Sequence, residues 1–234
     1  MIGNPSVKTL PTLAVSIVVF QPDMEWLERT LRSLANALSF AHEAADIGAA
    51  RLWLVDNGAA TRVSDSQPLL DRIFPSPTPW LSINTIAGHG NRGYGAGNNL
   101  AFARDADAEL LLVLNPDVEM EPEAIAHGVR HLRANDDCAM VTPVATAADG
   151  SPLHLVKDEP RVFTLALRGF APAFVQSRFA GRLADYERRR EGWDKALADV
   201  RLASGCFMLM RRRAFDRAGG FDEKFFLYFE DFDL

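Results

Sequence analysis

A chain of 234 residues with a formal net charge of −6, 48% hydrophobic and 24% charged residues, has the make-up of an ordinary soluble globular protein: one large domain, or one domain with an extension. The acidic balance leaves no global basic field and argues against a nucleic-acid partner. Cys138 and Cys206 lack metal or redox spacing and no apolar run approaches a membrane span, so the expectation is a reduced, cytoplasmic protein with buried thiols.

Near the start, Lys8 and the prolines Pro5 and Pro11 give no basic region followed by a long apolar core, and no signal peptide is expected. Leu13 to Phe20 is a β-branched run that predicts a first buried strand, closed by Gln21-Pro22. Asp23 can cap a helix whose apolar stripe is Met24, Leu27, Leu31, Leu34 and Leu38. Leu52 to Val55 predicts a second strand ending in Asp56-Asn57-Gly58, and Leu81 to Ile86 a third. The glycine-rich stretch Gly88 to Asn99 comes next, and then a helix from about Ala96 to Ala106.

Leu110 to Leu114, five apolar residues ending abruptly in Asn115-Pro116-Asp117, reads as a central strand buried on both faces. Pro116 cannot donate to a ladder, so the strand stops there. Pro122 suits the first turn of a helix carrying Ile125, Val129 and Leu132 on one face, and Ala139 to Thr142 predicts a fifth short strand. The alternation predicts an α/β protein with a mostly parallel, Rossmann-like sheet and helices on both faces. From 149 to 199 the pattern dissolves into an irregular excursion within a single domain spanning 1–234. It holds Arg178, Arg182, Arg188, Arg189 and Arg190, either a solvated face or a patch for a membrane surface or anionic acceptor. Order returns at Val200 to Met210, and a short basic helix is closed by Gly219-Gly220.

Three features carry chemistry. Gly88, Gly90 and Gly93 form a literal G-x-G-x-x-G between a strand and a helix, with Asp117 24 residues on. That matches much of a dinucleotide fingerprint, but it follows the third strand where the fingerprint usually follows the first. It also offers flexible backbone whose amides can donate to phosphate. Asp56, Asp117 and the pair Glu230-Asp231 read as carboxylates at strand ends, which a parallel sheet gathers on one edge. Asp117 is placed as a hard oxygen ligand for Mg²⁺ or Mn²⁺, though Asn-Pro-Asp could equally be a turn before the next helix. Asp56 could accept from a pyrimidine N3–H or a ribose hydroxyl, and a third carboxylate could take a proton from an attacking hydroxyl.

Six segments occur in order: Val-Ser-Ile-Val-Val-Phe ending at Phe20, Val55 to Gly58, Asn91 to Asn99, Leu114 to Val118, Ser204 to Met208 and Gly219 to Asp231. Together they resemble the family 2 glycosyltransferases of GT-A fold, most of all the bacterial rhamnosyltransferase-like branch that builds polysaccharide on lipid carriers. The resemblance implies an inverting, metal-dependent transfer of a sugar, rhamnose among the candidates, from a dTDP- or UDP-sugar donor to a saccharide or lipid-linked acceptor. It implies that Phe20 and Asp56 border the base, that Asn91, Gly93 and Asn98 lie near the nucleotide and diphosphate, and that Gly205 lines the donor-sugar and acceptor site. Asp117 takes the place of the last acid of the DxD motif and needs Mg²⁺ or Mn²⁺. Asp231 is the general base, with Glu230 its rival.

The resemblance also leaves room for peripheral contact at the inner face of the cytoplasmic membrane and for a homo-oligomer. Two departures stand out: Asn115 replaces the first acid of DxD, and the chain stops at Leu234 where family members continue. The second leads to the expectation of a shortened form whose last segment is frayed or packed on a partner subunit, with weak or absent activity. The competing expectations are a nicotinamide-dependent oxidoreductase and a catalytically silent nucleotide-sugar binding module.

Overall fold

The computed structural model describes residues 9–58, 66–75, 78–147, 149–159, 161–189, 197 and 200–234. Pro5, Lys8 and Arg190 lie outside the described residues. In chain order the elements are β1 (Thr12–Val19), α1 (Met24–Glu43), β2 (Ala49–Asp56), α2 (Gln67–Ile73), β3 (Leu81–Ile86), α3 (Tyr94–Ala103), β4 (Leu110–Leu114), α4 (Ala124–Ala134) and β5 (Met140–Val141). The short strands β6 (Ala145–Thr146), β7 (Pro152–Leu153) and β8 (Val156–Lys157) follow. Then come α5 (Val162–Phe170), α6 (Ala173–Arg178), α7 (Ala180–Tyr186), β9 (Leu202–Ala203), β10 (Phe207–Arg211), α8 (Arg212–Ala218) and α9 (Glu230–Asp233).

Six strands form the main sheet in the order β3-β2-β1-β4-β10-β5. The first four run parallel, and β10 lies antiparallel between β4 and β5. The pleat sends alternate residues of β1 to opposite faces. Leu13, Val15, Ile17 and Val19 join a core with Leu27, Leu31, Leu34 and Leu38 of α1 and with residues of α2 and α4. Ala14 and Val18 join a second core with Ala101 and Phe102 of α3 and Phe215 of α8. Helices therefore cover both faces, as the strand–helix alternation requires. Each fully buried leucine of the α1 stripe contributes about 1.5–3 kcal/mol by leaving water.

Local signals set the boundaries. Asp23 caps α1 by accepting the N–H groups of Glu25 and Trp26 at 2.9 and 3.2 Å. Gly97 lets α3 lie close on β1, because a Cβ there would sit 2.9 Å from Val18 Cγ1. The ordered stretch from Val200 to Met210 holds two strands, β9 and β10. Two expectations are corrected. The stretch expected to be irregular carries α5, α6 and α7. Both cysteines are half-buried rather than buried. Helix α2 gave no stripe in the sequence, being only seven residues with a proline in its first turn.

The chain divides into two compact units: residues 1–141 with 205–234, and residues 142–204. The first contains the six-stranded sheet. The second holds the ladders β6–β7 and β8–β9 and the three short helices. Among the described residues no helix is long and apolar enough to cross a membrane.

Candidate active site

Because β1, β2 and β4 are parallel and in register, their carboxyl ends finish on one edge. Phe20 follows β1 with its ring exposed. Asp56 ends β2, and its Oδ1 accepts the N–H of Gly58 at 2.8 Å. The turn itself thus occupies one of the two carboxylate oxygens. Asn57 is buried; its N–H donates to Val19 O at 2.8 Å, and its Nδ2 donates to Gly93 O at 2.9 Å. This bond ties the glycine loop to the end of β2.

Gly88, Gly90 and Gly93 all have positive φ, at 83, 70 and 90°. A Cβ would meet nothing at the first two, but at Gly93 it would fall on the carbonyl of Phe226. The N–H of Gly93 donates to Asn91 Oδ1 at 3.0 Å, and that of Tyr94 to Phe226 O at 3.1 Å. The amides of Gly93 and Tyr94 are therefore engaged inside the protein. A dinucleotide cradle needs them turned outward to a pyrophosphate, so the glycine fingerprint does not form one here. Asn98 is fully buried and donates to Tyr94 O at 3.1 Å, which puts it beneath the edge rather than on it.

Beyond β4, Asn115 N–H donates to Cys206 O at 3.0 Å. The antiparallel course of β10 brings its amino end, with Gly205, to the carboxyl end of β4. Helix α1 steadies the following turn: Thr30 Oγ1 donates to Pro116 O at 2.9 Å, and Ser33 Oγ accepts from Met120 N–H at 3.2 Å. Asp117 projects from this turn and is exposed.

Tyr94 joins the pieces. Its hydroxyl lies 2.7 Å from Asn115 Oδ1 and 2.8 Å from Gly205 O, and its single proton serves one of them at a time. Burial, helped by nearby Cys206, Glu230 and Asp231, pushes its pKa far up, so it remains a donor throughout the physiological range. On the other side of Gly205, Asp231 Oδ2 accepts the Gly205 N–H at 3.0 Å. Glu230 and Asp231, expected at a strand end, stand instead in the short helix α9, after Tyr228 and Phe229, both at left-handed φ of 70 and 69°. The closing segment, expected to be frayed or held by a partner, bonds to the first residue of α3 through Phe226 O and to the turn before β10 through Asp231.

Glu230 is only 5% exposed, and its Oε2 has no hydrogen-bond partner. Burial, and then the charge of Asp231, raise its pKa. The fold therefore binds this proton more tightly than the unfolded chain does. No penalty exists below the ordinary glutamate range of about pH 4; stability falls as pH rises through that range toward the raised value. Glu230→Gln is expected to melt at a higher temperature than the parent at neutral pH, with the gain vanishing under acid conditions. Calorimetric melts across pH check this, and a constant difference at all pH values would refute it.

The residues not singled out from sequence are Tyr94, Asn57 and Asn99. Asn99 Nδ2 donates to Phe221 O at 2.9 Å and its Oδ1 accepts Phe221 N–H at 3.0 Å, a strand-like clasp on the closing segment. The available signal was the pair Asn98-Asn99 early in a small-residue helix, where polar side chains need partners.

For a metal, among the described residues no three His, Cys, Asp or Glu side chains gather into a binding set. Asp117 offers one exposed carboxylate beside the amide of Asn115. That donor set fits a hard cation that keeps waters and shares substrate phosphates, and does not fit a closed structural cage. A cavity of about 680 Å³ opens at the opposite, amino edge, next to Thr9, Glu109 and Arg211. Arg211 there is spent on the carbonyls of Leu132, Asn135 and Cys138.

The sequence model of a family described as Glycosyl transferase family 2 matches residues 15–219. An N-acetylglucosaminyl-diphospho-decaprenol L-rhamnosyltransferase of Mycobacterium tuberculosis is 29% identical, over 95% of this chain and 68% of its own length. Rhamnosyltransferase WbbL of Escherichia coli is 27% identical, over 66% of this chain and 57% of its own. The low-salt glycan biosynthesis hexosyltransferase Agl10 of Haloferax volcanii is 25% identical, over 80% and 52%. Among solved structures, S. aureus TarS 1–349 matches with a TM-score of 0.54 and 14% identity, over 94% of this chain and 52% of that one. GalNAc-T7 with UDP, GalNAc and Mn²⁺ matches with a TM-score of 0.54 and 12% identity, over 96% and 40%. The chain thus spans about half the length of these structures, and the shared fold is GT-A.

Proposed function

Because this chain belongs to glycosyl transferase family 2, we propose that it moves a sugar from a nucleotide diphosphate donor to a saccharide or lipid-linked acceptor, with inversion, in surface polysaccharide synthesis. The names of the mycobacterial and E. coli relatives support rhamnose as the sugar. The observation that carries the reading is the carboxylate of Asp231 held on Gly205 N–H, with the Tyr94 hydroxyl in hydrogen-bonding reach of both Gly205 O and Asn115 Oδ1 beyond the end of β4.

In this reading the ring of Phe20 and the remaining oxygen of Asp56 face the base, where a uracil or thymine N3–H can donate. Asn91 and Gly93 shape the loop beside the diphosphate, and Asn98 supports that loop from beneath. Asp117, with Asn115 beside it, would hold Mg²⁺ or Mn²⁺, whose charge offsets that of a departing diphosphate. Asp231 accepts the proton of the acceptor hydroxyl while the oxygen of that hydroxyl bonds to the anomeric carbon. The bond from that carbon to the diphosphate oxygen breaks on the opposite face, which inverts the centre.

The first test is a thermal-shift panel of nucleotide sugars with and without Mn²⁺. Stabilisation by dTDP- or UDP-sugars that needs the ion supports the reading; stabilisation by NAD alone would overturn it. Asp117→Ala is expected to weaken nucleotide-diphosphate binding and abolish its dependence on the ion. Calorimetry showing unchanged, metal-stimulated affinity would remove Asp117 from this role. Donor binding without transfer to any acceptor would instead describe a silent binding module.

A further inference from the structure

Helix α5 is amphipathic in an inverted sense. Thr164 and Leu167 are its buried residues, while Val162, Phe163, Ala166 and Phe170 are exposed and recur at helical spacing along its outer face. A helix on a soluble surface ordinarily shows polar side chains there. Here Val162 is 85% and Phe170 90% exposed, and Phe174 of the adjoining α6 adds a ring at 75%. Phe163 and Phe179 shield one another edge to face, with centroids 5.6 Å apart, so Val162, Phe170 and Phe174 form the bare part.

Charge identifies what covers it. In a chain with 31 acidic residues, positions 160–184 contain none, yet they contain Arg161, Arg168, Arg178 and Arg182. Of the flanking acids, Asp158 and Glu159 share Arg201, and Glu187 pairs with Arg189. A second copy would bring arginines against arginines. An anionic bilayer satisfies both features, since rings enter the headgroup–acyl boundary while guanidinium groups meet lipid phosphates.

We propose that α5 and α6 dock on the surface of an anionic lipid bilayer through Val162, Phe170 and Phe174, with Arg161 and Arg178 on the headgroups. The docking needs neither donor nor acceptor, so it stands or falls apart from the transferase reading. The test is flotation of the 234-residue chain with vesicles of phosphatidylcholine and phosphatidylglycerol in equal parts. Binding is expected there, weakened by salt and much reduced on phosphatidylcholine alone. Replacing Arg161 and Arg178 by Gln should weaken it about fivefold per residue. Phe170→Ser with Phe174→Ser should weaken it about tenfold or more, with circular dichroism unchanged.

Should those variants unfold, Phe170→Trp and Phe174→Trp give an independent reading. Brominated lipid should quench them beyond the parent, whose own tryptophans all lie outside 160–184. No binding to the anionic vesicles, no added quenching, or equal binding by the folded variants would overturn the proposal. So would self-association of the parent in the ultracentrifuge that Phe170→Ser abolishes, because the face would then belong to a second copy.

Discussion

Asp231→Asn is expected to lower turnover by about 10²–10⁴-fold, the usual contribution of a positioned base, while leaving donor affinity unchanged. The amide is nearly isosteric, and its oxygen can still accept the Gly205 N–H that Asp231 accepts at 3.0 Å. What it loses is the capacity to take a proton. Glu230→Gln separates the rival assignment. Glu230 is buried and its pKa is raised by that burial, so it is poorly placed to meet an acceptor hydroxyl. Its substitution should change turnover far less. Steady-state kinetics with a saturating donor, alongside calorimetric donor titration, read both variants. A full loss in Glu230→Gln with near-normal turnover in Asp231→Asn would reverse the roles.

Gly93→Ala is expected to cost about 2–4 kcal/mol of stability, combining a backbone conformation reserved for glycine with an overlap in a packed region. Gly93 sits at φ 90° and ψ 173°, and its Cβ would fall on the carbonyl of Phe226. That carbonyl accepts the first N–H of α3, and the chain runs on from it to Asp231. The variant should therefore lose turnover as well as stability. Gly90→Ala is the internal control: it also has positive φ, at 70°, but its Cβ would meet nothing, so only the backbone term of about 1–2 kcal/mol applies. Urea unfolding of the two variants measures the difference. Equal losses would mean that the Phe226 segment yields freely.

Local pattern made the strands and long helices legible. Leu110–Leu114 stands where an apolar run ends in a polar turn, Leu81–Ile86 where leucine and isoleucines are interleaved with polar residues before a glycine turn, and α1 where leucines recur beside a capping aspartate. These features depend on neighbours a few residues away, and so did the family resemblance, which rests on short motifs in order. The arrangement around Asp231 depends on partners far apart in the chain. Tyr94 reaches Asn115 and Gly205 across 21 and 111 positions, and Gly205 reaches Asp231 across 26. No periodicity encodes such a pairing. The same holds for the burial of Glu230, for the closing of the α3 amides by Asn91 and Phe226, and for the Asp56 oxygen taken by Gly58. The sequence by itself determined the long strands and helices of the main sheet and that Asp56 and Asp117 would stand at or just beyond strand ends. The antiparallel entry of β10 beside β4 and the close approach at Gly93 were decided by tertiary structure, because only the folded sheet brings those distant backbones within hydrogen-bonding reach.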